Sequence, residues 1–317
     1  MNRPSNDTLS RTAAIFLIFI LAAVSQACEK VIEIDVPAGE PKLVIEGRVE
    51  NGQPPVVFVT TTRGFFEPTS LQDYADSFVD DAEVTVNGIE LMRICSDELP
   101  DELLPFFEEA TGISTEAAAG FSICGYVGID PALIGEENTT YRLEVHARDE
   151  VLTSVAHIPN ILAPDSVWFR LWANSPKYGY AFAEFTDPDT TGNAYRVFTR
   201  RIGPNMNQNP VDPAFYAPLG SSFADDFFNG QTIEVVFLRG QPPNSSRPVD
   251  QGESARFFET GDRFVFKFCS TTYPVYDFFN TYEAQQGATG SPFAAPNNLN
   301  TNINGGLGIW AAMSRRW

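Results

Sequence analysis

Between residues 139 and 148 the chain alternates without a break. Tyr141, Leu143, Val145 and Ala147 are apolar, and Arg142, Glu144, His146 and Arg148 are polar. A period of two sends the two sets to opposite faces of a strand, which predicts a half-buried β-strand with one solvated side. Residues 151–158 pair with it as a hairpin across Asp149-Glu150. Upstream, residues 42–49 (KLVIEGRV) begin the first clear strand, Asn51-Gly52 is a strong hairpin-turn signal, and the β-branched run 54–63 returns. Residues 80–86, Asn87-Gly88 and residues 89–94 repeat that design. Short strands at regular spacing with Gly, Asn and Pro turns predict a mainly β protein, with an immunoglobulin-like β-sandwich over residues 42–158.

Residues 96–120 depart from the strand pattern. Ser96 with Asp97 and Glu98 resembles a helix start, and Leu99, Leu103, Phe106 and Ala110 follow helical spacing. Pro100 and Pro105 limit that run to short pieces, so a small helical insertion at one end of the sandwich is expected. Residues 159–164 (PNILAP) predict an interdomain linker. Beyond it, residues 167–173, 180–185, 194–201, 232–239, 263–269 and 307–313 are strand-like. Residues 273–286 form the one helical pattern there, with Tyr276, Phe279 and Tyr282 on one side and Gly287 as its stop. Residues 165–317 are thus expected to make a second β-rich domain carrying one helix.

The apolar run 13–24 has a different meaning. Arg3 and Arg11 precede it, Ser25-Gln26-Ala27 follows, and Cys28 stands next before polar Glu29 and Lys30. The run is shorter than the roughly 20 residues that span a bilayer, which predicts a secretory signal over residues 1–27. A cysteine at the cleavage position resembles a bacterial lipobox and predicts lipidation at Cys28, with residues 28–41 as a tether. Several acyl chains on one cysteine anchor firmly where one chain holds only marginally.

Composition narrows the partners. A formal net charge of -20, with lysine only at Lys30, Lys42, Lys177 and Lys267, repels phosphate and excludes nucleic acid as a partner. With Cys28 assigned to lipid, Cys95 and Cys124 flank the acidic insertion and are candidates for a disulfide in an oxidising envelope. Cys269 is a third candidate partner, and spacing does not choose between them. No Cys-x-x-Cys or Cys/His cluster points to zinc, and no cofactor signature is present.

Catalytic signals are equally sparse. His146 and His157 are the two histidines, neither sits in a motif, and there is no Gly-x-Ser-x-Gly elbow or His-Glu-x-x-His. A distant pair of carboxylates running glycoside hydrolysis leaves no local signature, and nothing selects one. Asp187-Pro-Asp189-Thr-Thr-Gly192-Asn193 gathers oxygen ligands in a tight loop, so Asp187, Asp189 and Asn193 form a calcium candidate, against the plain reading as a turn. The aromatics carry more information. Trp168, Arg170 and Trp172 share one face opposite Val167, Phe169 and Leu171, and Tyr178 and Tyr180 follow. If the aliphatic face is core, these rings make an outward interface or sugar-stacking platform. The alternative is a strand buried on both faces.

Separated segments along the chain carry a family resemblance. Residues 28–37 (CEKVIEIDVP) with 41–47 and Asn51-Gly-Gln-Pro-Pro, then Asp225-Asp-Phe-Phe-Asn-Gly230, Ser291-Pro-Phe-Ala-x-Pro296 and Ile303-Asn-Gly-Gly-Leu-Gly308, resemble the motifs of domain of unknown function 4249 in their order. The resemblance spans nearly all of the chain after the signal. It implies an outer-membrane lipoprotein of Bacteroidota, encoded beside a TonB-dependent transporter, and implies no catalytic residue. The function expected is therefore a non-catalytic, lipid-anchored accessory or ligand-capturing partner of a TonB-dependent transporter barrel. A surface hydrolase acting on glycan or peptide, and a stand-alone adhesin-like module, are the alternatives.

Overall fold

The computed structural model describes residues 40–63, 70–100, 120–203, 212, 214–241, 256–288 and 299–316. In chain order the first half supplies β1 (Leu43–Glu50), β2 (Val56–Thr61), α1 (Leu71–Ala75), β3 (Glu83–Val86), β4 (Ile89–Glu90), β5 (Met92–Cys95), β6 (Cys124–Val127), β7 (Thr139–Ala147) and β8 (Glu150–Ile158). The second half supplies β9 (Ser166–Leu171), β10 (Tyr178–Thr186), β11 (Ala194–Arg201), β12 (Ser222–Ala224), β13 (Thr232–Phe237), β14 (Phe258–Glu259), β15 (Phe264–Thr271), α2 (Tyr273–Ala288) and β16 (Leu307–Arg316). The fold is mainly β, as the alternation predicts.

One eight-stranded sheet, in the order β12-β11-β15-β16-β1-β2-β6-β5, is the frame. Two four-stranded sheets pack on it, one ordered β4-β3-β7-β8, the other with β10 between β9 on one side and β13 and β14 on the other. Val84, Val86, Leu143, Val145, Leu152 and Ile158 of the first small sheet bury against Ile45, Val49, Val57, Val59 and Trp310 of the frame. Ala183, Phe185 and Phe237 of the second bury against Tyr195, Val197, Phe266 and Phe268. Alternate residues of the same frame strands point the other way, and there α2 lays Val275 and Phe278 on Cys269, Ile309, Ala311 and Met313. The frame is thus apolar on both faces, which is why β16 reads as a nearly continuous apolar run.

Trp310 is the centre of the first core. It is fully buried, and its indole N–H donates to the Tyr141 carbonyl at 3.1 Å. Gly47 lies opposite it across the parallel β1–β16 pair, where a Cβ would stand 2.6 Å from the ring, so only glycine lets the indole lie flat there. Asn302 clamps the same residue from outside, accepting from the Trp310 N–H at 2.9 Å and donating to its carbonyl at 2.8 Å. Gly308, at φ +104°, passes so close to the Ile45 carbonyl that any side chain would collide with it. The 303–308 motif is therefore the device that slots β16 beside β1.

Several expectations need correction. The division at residues 159–164 is not where the sheets divide: β16 pairs with β1 across it, and residues from Glu40 onward cluster as one compact unit. Strand partners are chosen by burial far along the chain, which a local linker signal does not report. The stretch 89–94 is two strands, because buried Leu91 ends the pairing of β4 with β3 and β5 crosses to pair with β6 in the frame. Gly287 does not stop α2, which runs on to Ala288. Its sheet-facing residues are Val275 and Phe278 with Phe279 beside them, whereas Tyr282 is exposed. The helix is aromatic around much of its first half, so spacing alone allows two stripes. Strands β6, β12 and β14 carry no sequence signal. Residues 96–98 make a 3-10 turn, and residues 101–119 of the expected helical insertion lie outside the described residues, as do Cys28 and the whole signal and tether up to residue 39.

Candidate functional site

Among the described residues no other element covers the outer face of the second small sheet with a core. In β10 the period of two buries Gly179, Ala181, Ala183 and Phe185 and turns Tyr178, Tyr180, Phe182 and Glu184 outward. Strand β9 pairs antiparallel with it, setting Trp168 opposite Phe182 and Arg170 opposite Tyr180, so both strands send their aromatics the same way. The Trp168 and Phe182 rings stack at 5.7 Å and 12°, and Trp172 stacks on Phe257 at 5.2 Å and 7°. Tyr180 joins the two pairs, meeting Phe257 edge-on at 5.3 Å and Phe182 at 6.5 Å. The result is one unbroken row of rings: Trp168, Phe182, Tyr180, Phe257, Trp172.

Charges sit along the row. The Arg170 guanidinium lies 4.5 Å above the Phe182 ring and 3.8 Å from the Glu234 carboxylate of β13. Lys177 pairs with Glu259 at 2.9 Å and lies 5.1 Å over the Tyr178 ring, and the Glu259 hydrogen bond raises its pKa. These pairs are solvent-screened and add little to stability. Their use is directional, because a face of rings with fixed cations and carboxylates at its rim has the composition of an interface core. Trp172 is 38% exposed and Val236 of β13 is 55% exposed, while Trp168, Tyr178 and Tyr180 are half-buried.

The five residues singled out from sequence, Trp168, Arg170, Trp172, Tyr178 and Tyr180, share this face. Phe182 and Phe257 complete the row and are missed by the sequence. Phe182 was within reach, since it follows Tyr178 and Tyr180 at the same period; Phe257 comes from a distant loop and carries no local signal. The opposite side of β9 departs from expectation. Val167 and Leu171 are 44% and 45% exposed rather than core, because β9 pairs only with β10 and is the edge strand of its sheet.

The other candidates are placed differently. Asp187 is buried and spends its carboxylate on the Tyr195 hydroxyl and on the Gly230 N–H at 3.0 Å. Burial first, and then that carboxylate, push the Tyr195 hydroxyl far up. Asn193 turns its amide N–H groups back onto the Thr190 carbonyl, and Asp189 is exposed. Among the described residues no group of three or more His, Cys, Asp or Glu side chains is arranged to hold a metal ion. His146 is exposed on the solvated face of β7, 2.6 Å from Glu144, and His157 meets Thr140 at 3.1 Å. Cys95 and Cys124 face each other across β5 and β6 and are joined by a disulfide. Cys269 is free and buried, and burial pushes its thiol up to about 12.

No curated protein and no solved structure matches the sequence. A family model does: the domain of unknown function DUF4249 matches residues 29–316. The match covers nearly the whole chain and takes in the frame, both small sheets and the aromatic row, so the protein belongs to the DUF4249 family.

Proposed function

We propose that the protein is a non-catalytic binding protein, lipid-anchored to the outer membrane through Cys28, that associates with a TonB-dependent transporter barrel through the outer face of β9, β10 and β13 and helps capture its ligand. The observation that carries this is the exposed row Trp168–Phe182–Tyr180–Phe257–Trp172. Rings held flat by stacking lose little freedom on contact, and Trp, Tyr and Arg are the side chains that dominate binding energy in interfaces. The signal-like run 13–24 before Cys28 supports the anchoring, and the resemblance of the motifs supports the choice of partner.

The test is a pull-down of the affinity-tagged chain from outer membranes under mild detergent, with partners identified by mass spectrometry. A stoichiometric TonB-dependent barrel is the expected result. Good recovery of the chain alone would overturn the partnership.

A further inference from the structure

The motif 225–230, between β12 and β13, builds a turn held from several sides. The Asp225 carboxylate is buried and accepts from the Gly192 N–H at 3.1 Å and the Asn193 N–H at 3.0 Å. The Phe228 N–H donates to the Asp225 carbonyl at 3.0 Å, and the Gln231 N–H to the Phe228 carbonyl at 2.9 Å. Gly230, at φ +69°, donates to buried Asp187, and the Phe228 ring packs among Phe185 and Phe223 in the second core. With its neighbour sunk into the core and both ends tied, Phe227 cannot turn inward. It is 94% exposed.

Among the described residues nothing packs over this ring, and a Phe left in water forgoes the gain of burial. The surroundings describe what would cover it. Asp226 is exposed beside it, and Asp189 lies against Gly230. Asp226 and Asp277 both act on the Tyr276 hydroxyl, which burial first, and then Tyr273 and these carboxylates, push up. Tyr273, at the start of α2, is exposed and stacks edge-on against Tyr276 at 5.3 Å. Among the described residues no ion pair neutralises Asp189, Asp226 or Asp277.

We infer that Phe227 is a preformed anchor for a protein partner that offers an apolar socket rimmed by lysine or arginine. A rigid turn presents the ring at no ordering cost, and the unpaired carboxylates match a basic rim. An anionic bilayer surface would repel those carboxylates, and so would a second copy of this acidic chain. This anchor shares no residue with the aromatic row.

The test places a photo-crosslinking benzoylphenylalanine at position 227 of the full lipid-anchored chain in cells. The expected result is one covalent adduct with another protein, mapped to an apolar pocket flanked by Lys or Arg. Phe227→Ala should then lower recovery of that protein roughly tenfold or more, and Asp226→Lys should lower it as well. Because the ring touches only water, Phe227→Ala should leave the thermal midpoint within about 1–2 °C of the parent, which separates lost contact from lost fold. An adduct with lipid only, an adduct with a second copy of this chain, a pocket without basic residues, no protein adduct, or undiminished recovery by Phe227→Ala would each overturn the inference. A barrel that co-purifies without crosslinking at 227 leaves the transporter partnership standing while this anchor falls. A crosslink to a basic-rimmed pocket of a non-barrel protein supports this anchor whether or not a barrel co-purifies.

Discussion

Two buried charges show how single residues are tolerated in this frame, and they give opposite predictions. Glu50 of β1 lies on the helix-side face of the frame with both carboxylate oxygens 2.7 Å from the Lys267 ammonium and one 3.2 Å from Arg315. Burial opposes its ionisation, but Lys267, Arg48 and Arg315 outweigh that and hold its pKa below the ordinary 4.5. A carboxylate depressed on folding stabilises the protein above its unfolded pKa, and that contribution is lost as pH falls through the folded value. Urea unfolding should therefore show stability falling as pH drops below about 4.5, and Glu50→Gln should flatten that slope while costing about 3–5 kcal/mol at neutral pH by removing the charged partner from the buried Glu50–Lys267 pair. Arg196 is the contrary case. It is buried between the rings of Phe279 at 3.1 Å and Phe198 at 5.2 Å, its Nε has no hydrogen-bond partner, and burial lowers its pKa to about 10. Its stem packs like a hydrophobe while its charge is desolvated, and among the described residues no carboxylate forms an ion pair with it, Glu283 and Glu46 acting only from farther off. Arg196→Met should leave the unfolding midpoint unchanged or raise it, as replacing a poorly compensated buried charge by an apolar side chain does.

At the scale of elements, what the sequence revealed follows from how local each cause is. The β7–β8 hairpin is legible because its alternation and its turn lie within twenty neighbouring residues, and its burial pattern follows the expected period at every position of β7. The alternation of β9 is legible for the same reason and puts Trp168 and Arg170 on one face, although which side would be covered is not local information. Strands β6, β12 and β14 are too short to show a period, and they exist because longer neighbours offer them an edge. The parallel pairing of β1 with β16 is beyond any local signal, since the two lie at opposite ends of the chain. Only the glycines of the 303–308 motif hint at it, because close passage of one backbone past another demands glycine. That dependence is testable. Gly308→Ala forces a side chain onto the Ile45 carbonyl at a positive φ, and it should cost at least about 2 kcal/mol in chemical unfolding, whereas Gly52→Ala, in an open turn with nothing within 4 Å, should cost about 1 kcal/mol or less.

For the whole molecule, the frame divides the labour. Its first half, with Trp310 at the centre, is a close-packed support, and its second half carries a small sheet whose outer face is the candidate contact surface. Tryptophans on the two sides should therefore respond differently. Trp310→Ala removes a fully buried indole and its hydrogen bond to the Tyr141 carbonyl, a change expected to cost about 3–5 kcal/mol. Trp168→Ala and Trp172→Ala each remove one stacked, partly exposed ring, and about 1 kcal/mol apiece is expected. The most direct measurement is recovery of the TonB-dependent barrel by the tagged Trp168→Ala, Trp172→Ala double variant, beside its unfolding midpoint. The expected result is a barrel recovered by the parent chain and reduced roughly tenfold or more in the variant, with the variant still folding cooperatively. Undiminished recovery by a folded variant would contradict the aromatic row as the contact surface, and a variant that fails to fold would show that the two rings belong to the core.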